Sequence, residues 1–233
     1  MKFQAPTAKG KIKKRYKRFL ADITLSTGEE ITAHIANTGS MKTCWEPGWK
    51  ALLTHHPDSN RKLKYSVEML HNGETWIGVN TSASNKIVEE ALNHKKIRGL
   101  TSYSHIKREY KVGKSRIDFF LSGSSRYHDY FLEVKNVTLK GDSQKVLFPD
   151  AVSERGQKHL EELTQLALSG YRAGIFFLVQ REDVNKFHPA KEIDPKYYQL
   201  LKSAKKAGVD IHVYQCQLNT SGVEVSHRIP YEL

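Results

Sequence analysis

The run Tyr130-Phe131-Leu132-Glu133-Val134-Lys135-Asn136-Val137 is apolar and strand-like, yet it carries an acid and a base two positions apart. Upstream, Arg116-Ile117-Asp118-Phe119-Phe120-Leu121 holds one carboxylate in a similar setting, fifteen residues before Glu133. Charges in such segments are costly unless something pairs with them. Side chains alternate along a strand, so Glu133 and Lys135 share one face and Val134 points to the other. If the two runs lie side by side, Asp118 approaches Glu133 across the ladder. Two carboxylates with a shared open position suit Mg²⁺ or Mn²⁺, which favour oxygen ligands and retain waters. An ion held there polarises a phosphoryl oxygen and lowers the pKa of a bound water, and Lys135 can stabilise the developing negative charge. These are the parts of a phosphodiesterase site. The competing reading is a solvated cross-strand charge pair, against which stand the flanking Phe131, Leu132, Val134 and Val137.

The surrounding sequence supplies a frame for these strands. Ile87, Val88, Ala91 and Leu92 recur at helical spacing after Ser84 and Asn85, either of which can serve as an N-cap. Residues 105–112 and 115–121 read as a hairpin turning at Gly113-Lys114, and residues 130–139 as a third strand. A helix is predicted over residues 153–169 with Gly170 as its stop, and Ile175-Phe176-Phe177-Leu178-Val179 is a strand buried on both faces. Asp194-Pro195 opens a last helix that ends before Gly208, followed by a strand over residues 209–218. The order is α-β-β-β-α-β-α-β, with a parallel crossover across residues 130–180.

The first eighty or so residues read differently. Short strands over residues 16–25, 30–36, 50–54, 64–70 and 75–79 are separated by turns such as Ser26-Thr27-Gly28-Glu29 and Glu46-Pro47-Gly48. This pattern suits a small barrel such as an OB-fold, and a sandwich fragment fits it almost as well. The resulting division is an N-terminal domain over residues 1–82 and a C-terminal domain over residues 83–233.

Lys+Arg exceed Asp+Glu by 37 − 25 = 12, which makes a polyanion a natural partner. Seven of the ten residues in Lys9-Gly10-Lys11-Ile12-Lys13-Lys14-Arg15-Tyr16-Lys17-Arg18 are cationic, and Arg61-Lys62-Leu63-Lys64 is a smaller second patch. Tyr16 and Phe19 interleave as bases would require for stacking, although Phe19 also suits a core position. A solvated basic strand edge explains the same composition. Cys44 and Cys216 stand alone, without zinc or disulfide spacing. The eleven histidines show no ligand spacing, although His159 beside Lys158 has reach toward a scissile phosphate. There is no Walker A, dinucleotide or nucleophile-elbow motif. No signal peptide or membrane span is evident, and a cytoplasmic protein is expected.

The motifs resemble one family along nearly the whole chain. They are Lys14-Arg15-Tyr16-Lys17-Arg18-Phe19-Leu20-Ala21-Asp22, Asn37-Thr38-Gly39-Ser40-Met41, Arg61-Lys62-Leu63, Val79-Asn80-Thr81, residues 148–160 (FPDAVSERGQKHL), Ile193-Asp194-Pro195 and Ala207-Gly208-Val209. The chain resembles the sugar fermentation stimulation protein A (SfsA) family, and its Asp118…Glu133-Val134-Lys135 segment resembles the PD-(D/E)xK nuclease core. The resemblance implies a two-domain α/β (α+β) chain. Its N-terminal part is an OB-fold barrel, and its C-terminal part is a nuclease-like mixed sheet flanked by helices. It places Asp118, Glu133 and Lys135 on the nuclease motif, with Asp118 and Glu133 as metal ligands. Glu109 matches an additional upstream acid and Gln157 a later helix position.

The expected function is therefore DNA binding with a Mg²⁺- or Mn²⁺-dependent phosphodiesterase site. Lys13, Lys14, Arg15, Lys17, Arg18, Arg61 and Lys62 are the expected contacts to single- or double-stranded DNA. A reading from another class is a non-catalytic DNA-binding regulator of sugar metabolism genes that keeps the nuclease fold as a scaffold. The oligomeric state, a homodimer included, stays open.

Overall fold

In the computed structural model, which describes residues 1–3, 6–57, 60–113 and 115–233, the basic N-terminal run is itself a strand. Gly10 and Ile12 face inward between outward lysines along β1 (Thr7–Tyr16). Lys17 and Arg18 adopt left-handed backbone, φ 48° and 63°, and return the chain as β2 (Leu20–Leu25). The single strand expected over residues 16–25 is thus the end of one strand, a turn and a second strand. Non-glycine residues at positive φ are uncommon, so this turn carries no Gly or Asn signature. Phe19 falls in the turn and is 41% exposed rather than core.

Strands β3 (Glu30–His34), β4 (Lys50–His55), β5 (Tyr65–His71) and β6 (Trp76–Gly78) complete this part. The strand order is β3-β2-β1-β4-β5-β6, and His34 of β3 pairs in parallel with Ser66 of β5. That bridge closes five strands into an OB barrel, whose core contains Ile12, Ile23, Ile35, Leu53 and Val67.

A 3₁₀ turn over Thr81–Ala83, capped by Asn80, leads into α1 (Ser84–Asn93). Neither Ser84 nor Asn85 is the helix cap; the turn shifts both into the first helical turn and frees their side chains. Then come β7 (His105–Val112), β8 (Ser115–Ser122) and β9 (Tyr130–Val137). Lys114, half of the expected turn between β7 and β8, lies outside the described residues. Two short strands follow, β10 (Leu139–Lys140) and β11 (Lys145–Phe148), then α2 (Glu154–Leu168), β12 (Arg172–Val179), β13 (Lys186–Pro189), α3 (Pro195–Lys206), β14 (Asp210–Asn219) and β15 (Gly222–Arg228). Strands β10, β11, β13 and β15 are additions to the expected order. β10, β11 and β13 form a small separate sheet, and their two to four residues are too short to show a period.

The main sheet runs β15-β14-β12-β9-β8-β7, with β12 parallel to both β9 and β14 and the outer strands antiparallel. The α1-β7-β8-β9-α2-β12 succession is the order expected from the resemblance to the nuclease core. Its two faces are covered separately. Ile87, Val88 and Leu92 of α1 pack on Phe119, Leu132 and Val134, whereas Leu160 and Leu163 of α2 and Leu201 of α3 pack on Phe131, Val137 and Ile175. Leu52 and Met69 of the barrel join the first of these cores, so the two parts share apolar contacts.

Capping follows the sequence closely. Asp194 accepts from the Tyr197 amide as the N-cap of α3, with Pro195 in the first turn. Ser153 does the same for α2 through Gly156.

Candidate active site

The β8–β9 ladder pairs Leu121 with Tyr130, Phe120 with Phe131 and Phe119 with Leu132, and no further. The next positions in register are Asp118 and Glu133, and there the backbone pairing gives way to side chains. The Val134 amide donates to Asp118 Oδ2 at 2.7 Å instead of to the neighbouring strand. Asn85, freed from capping, donates to Asp118 Oδ1 at 2.7 Å. The two strands therefore part at the carboxylate pair that the sequence predicts.

Glu133 and Lys135 do share a face, the one beneath α2. Lys135 Nζ donates to Glu133 Oε1 at 2.6 Å. His159 of α2 bonds the same oxygen through Nδ1 and lies 3.0 Å from Lys135 Nζ. Arg155 Nε reaches His159 Nε2 at 3.5 Å, which leaves the Nδ1 proton for Glu133. Glu133 is 2% exposed, and its second oxygen, Oε2, has no hydrogen-bond partner among the described residues. A buried carboxylate oxygen left unpaired is costly, and this one lies beside a second carboxylate.

The environment drives the two acids apart. Burial, reinforced by the Glu133 charge, pushes the Asp118 carboxyl up from the ordinary 3.8 to about 6, against the opposing bonds from Val134 and Asn85. Burial acts on Glu133 in the same sense, but the His159 bond and the Lys135 ammonium outweigh it and hold Glu133 below its usual range. Among the described residues no three His, Cys, Asp or Glu side chains surround a common ion position. A two-carboxylate donor set completed by waters or substrate oxygens is the kind Mg²⁺ takes. The unpaired Glu133 Oε2 and the repulsion raising Asp118 both fit a divalent cation.

Two expected members of the site are elsewhere. Gln157 Nε2 donates to both oxygens of Asp194, at 2.9 and 3.1 Å, tying α2 to the cap of α3. Its amide is committed to packing the helices together. Glu109 faces Asp118 in register, flanked by the pairs Arg108–Phe119 and Tyr110–Ile117. However, it has left-handed backbone, φ 50°, and is exposed, with no polar contact to the cluster among the described residues. The residues that do join are Asn85 and His159. Replacing Asp194 by Ala should cost about 2–4 kcal/mol, the sum of a lost N-cap and a stranded buried Gln157 amide. Urea unfolding measures it; a loss below about 1 kcal/mol would show that the clamp is not structural.

The basic stripe also divides. Lys13 pairs with Glu30 at 2.8 Å and Lys14 with Asp22 at 3.3 Å. Arg15 turns inward and donates to the carbonyls of Asn37 and Gly39. Lys17 and Arg18 project from the β1–β2 turn, and Arg61 and Lys62 line a cavity on the barrel.

Family models assign both parts. The SfsA N-terminal OB domain matches residues 14–79, and the sugar fermentation stimulation protein RE domain matches residues 82–222. The chain belongs to the SfsA family. A sugar fermentation stimulation protein homolog of Pseudoalteromonas atlantica is 44% identical over 99% of both chains, and one of Magnetococcus marinus is 41% identical over 100% of both. The structure of Pyrococcus furiosus SfsA in complex with Ca²⁺ superposes with a TM-score of 0.89 at 29% identity, covering 100% of this chain and 98% of that one. The barrel and the split-strand carboxylate pair thus sit in an SfsA architecture from end to end. Among the described residues no helix is long and apolar enough to cross a membrane.

Proposed function

We propose that this SfsA protein is a divalent-metal-dependent phosphodiesterase acting on DNA, with Mg²⁺ or Mn²⁺ held by Asp118 and Glu133. The observation that carries the reading is the unpartnered Oε2 of buried Glu133 beside Asp118, at the point where β8 and β9 part. That the Pyrococcus furiosus relative is a complex with Ca²⁺ supports an oxygen-ligand cation in this fold. The ion, when bound, polarises the phosphoryl oxygen and lowers the pKa of a bound water.

The side chains divide the remaining work. Asn85 and the Val134 amide fix the Asp118 carboxylate, and His159 and Lys135 hold Glu133 through Oε1, leaving Oε2 unpaired. Lys135, 13% exposed at the side chain, is the cation that meets the attacking oxygen or the charge developing on phosphorus. Lys17, Arg18, Arg61 and Lys62 bring the polyanion to the barrel. Four phosphate contacts give a salt slope of about −3 to −4.

The test is cleavage of single- and double-stranded DNA with Mg²⁺ or Mn²⁺. Chelation should abolish it, and Asp118→Ala, Glu133→Ala and Lys135→Ala should each lower the rate by about 100-fold or more with DNA binding retained. Cleavage that survives all three substitutions rules this site out. Salt-dependent binding with no metal-dependent turnover in the intact protein would favour the scaffold reading instead.

A further inference from the structure

The barrel carries a cavity of about 650 Å³ that the phosphodiester chemistry does not use. Its rim holds the exposed Arg61 and Lys62, and its wall includes His34 and Ser66, the two residues of the barrel-closing bridge. Among its lining residues is Glu68, 8% exposed, a buried carboxylate under a cationic rim. Glu68 Oε1 accepts from Thr54 at 2.7 Å and Oε2 from Asn80 at 2.8 Å. A carboxylate offers about four acceptor sites, so each oxygen keeps one to spare. A buried anion repels a phosphate and attracts N–H donors. The rim does the reverse. A ligand with amino hydrogens at one end and a phosphate at the other matches both.

Six residues connect this cavity to the carboxylate pair. Asn80 bonds Glu68, and Ser82 lines the cavity. Thr81 lines a second cavity of about 310 Å³ between the two domains, shared with Asn136. Ser84 bonds Asn136 at 3.3 Å, and Asn85 holds Asp118. The segment over residues 80–85 therefore touches the barrel pocket, the interdomain cavity and the catalytic acid in succession. Phe19, exposed in the β1–β2 turn, stacks on His34 of the cavity wall with ring centroids 6.2 Å apart.

The geometry points to single-stranded DNA as the substrate, with one unpaired base seated in the barrel pocket against Glu68 and its strand running along residues 80–85 to Asp118 and Glu133. The inference rests on the phosphodiesterase reading for its endpoint, but its binding half stands separately. Bases in a duplex stay stacked and cannot reach a carboxylate this deep, whereas an unpaired base can splay out, stack on an aromatic ring and be read on its Watson–Crick edge. Cytosine presents its amino group to Glu68, whereas thymine offers a single N3–H flanked on both sides by carbonyl oxygens that the carboxylate repels.

The experiment measures binding to the full chain by fluorescence anisotropy with the metal chelated, so that no cleavage intervenes. A labelled oligo(dC) of about 12 nucleotides should bind about tenfold more tightly than the same length of oligo(dT) or of duplex. Glu68→Gln offers both a donor and an acceptor and should collapse the dC/dT difference. Arg61→Ala with Lys62→Ala, at exposed positions that leave folding intact, should weaken both strands alike and flatten the salt slope by about 1.4 for a single strand. Equal binding of duplex, no dC preference, or a dC preference that survives Glu68→Gln overturns the inference. So does free dCMP competing as well as the oligonucleotide, since the pocket would then serve a mononucleotide. If all these binding results hold and no metal-dependent cleavage is found, only the catalytic reading falls.

Discussion

Asp118→Asn is expected to make the metal-free protein more stable at pH 8 while removing metal-dependent cleavage. Asp118 has its carboxyl pushed up to about 6 by burial and by the Glu133 charge, so in its ionised form it opposes folding. The sign follows from linkage. Between the ordinary carboxylate pKa and about 6 the folded state binds the proton more tightly than the unfolded chain. The favourable contribution of the protonated form is complete below about pH 4 and is lost as pH rises through 6. A rise of about two pKa units corresponds to an upper bound on the order of 3 kcal/mol. At this chain length each kcal/mol moves the melting temperature by about 2–4 °C. Asparagine removes the charge, and the bonds survive if Asn85 turns its amide to present oxygen. The measurement is thermal unfolding of wild type and variant at pH 8 and pH 4, with and without Mg²⁺. The variant should melt roughly 5 °C higher at pH 8 without metal and show little gain at pH 4. Added Mg²⁺ should raise the wild type and leave the variant unmoved. A variant that is no more stable at pH 8, or equally favoured at both pH values, would falsify the claim that Asp118 is held against its own folding preference. Active sites commonly carry this kind of cost.

The same pair shows what a sequence can and cannot disclose. Strand parity alone puts Glu133 and Lys135 together, because period two is obeyed wherever a strand is regular, and the 2.6 Å contact between them follows. The proximity of Asp118 needs only the hairpin order of β8 and β9. The parting of the two strands at Asp118 is not legible, since it depends on the Val134 amide choosing a side chain over a backbone carbonyl. Asn85 and Ser84 look like caps because capping and ligand-holding draw on the same short polar side chains. Only the 3₁₀ turn capped by Asn80 moves both into the first helical turn, where Asn85 reaches Asp118. His159 is on the helix the sequence indicates, and its contacts are to Glu133 and Lys135, which the spacing of the chain does not disclose. The basic stripe misleads for the opposite reason: composition counts lysines without seeing that Asp22 lies across the ladder from Lys14 and that Glu30, one strand further on, reaches Lys13.

Arg181→Met should cost about 3–5 kcal/mol and uncouple the two domains. Arg181 is 1% exposed, and each nitrogen of its guanidinium is hydrogen-bonded. It forks onto Asp183 at 2.7 and 2.8 Å and donates to the carbonyl of Thr138 at 2.7 Å and that of Thr43 at 3.1 Å. Thr43 belongs to the barrel part and Thr138 directly follows β9 of the main sheet, so one side chain spans the junction. Asp183 also takes Lys140 at 2.8 Å and Asn72 of the barrel at 3.1 Å. Burial alone would raise the Asp183 carboxyl, but the bonds from Arg181 and Lys140 outweigh it and hold it well below the usual carboxylate range. That contribution is present above the unfolded carboxylate pKa and fades as pH falls toward the folded one. Methionine fills the volume but leaves Asp183 with only Lys140 and Asn72 and strands two carbonyls. Lysine should rescue little, because a point charge cannot make the planar fork and reach Thr138 together. A double substitution with Asp183→Asn should recover part of the loss, since removing both charges is far cheaper than removing one. The readout is built into the chain: Trp45, Trp49 and Trp76 all lie in the barrel part, so tryptophan fluorescence reports that part while far-UV circular dichroism reports both. In wild type the two urea transitions should coincide; in Arg181→Met the fluorescence and dichroism midpoints should separate. Coincident transitions at unchanged midpoint would mean that the shared core around Leu52 and Met69, not the ion network, holds the barrel against the sheet. The single-stranded path across the junction depends on that coupling, so the same variant should weaken oligo(dC) binding even though Arg181 is buried away from the strand.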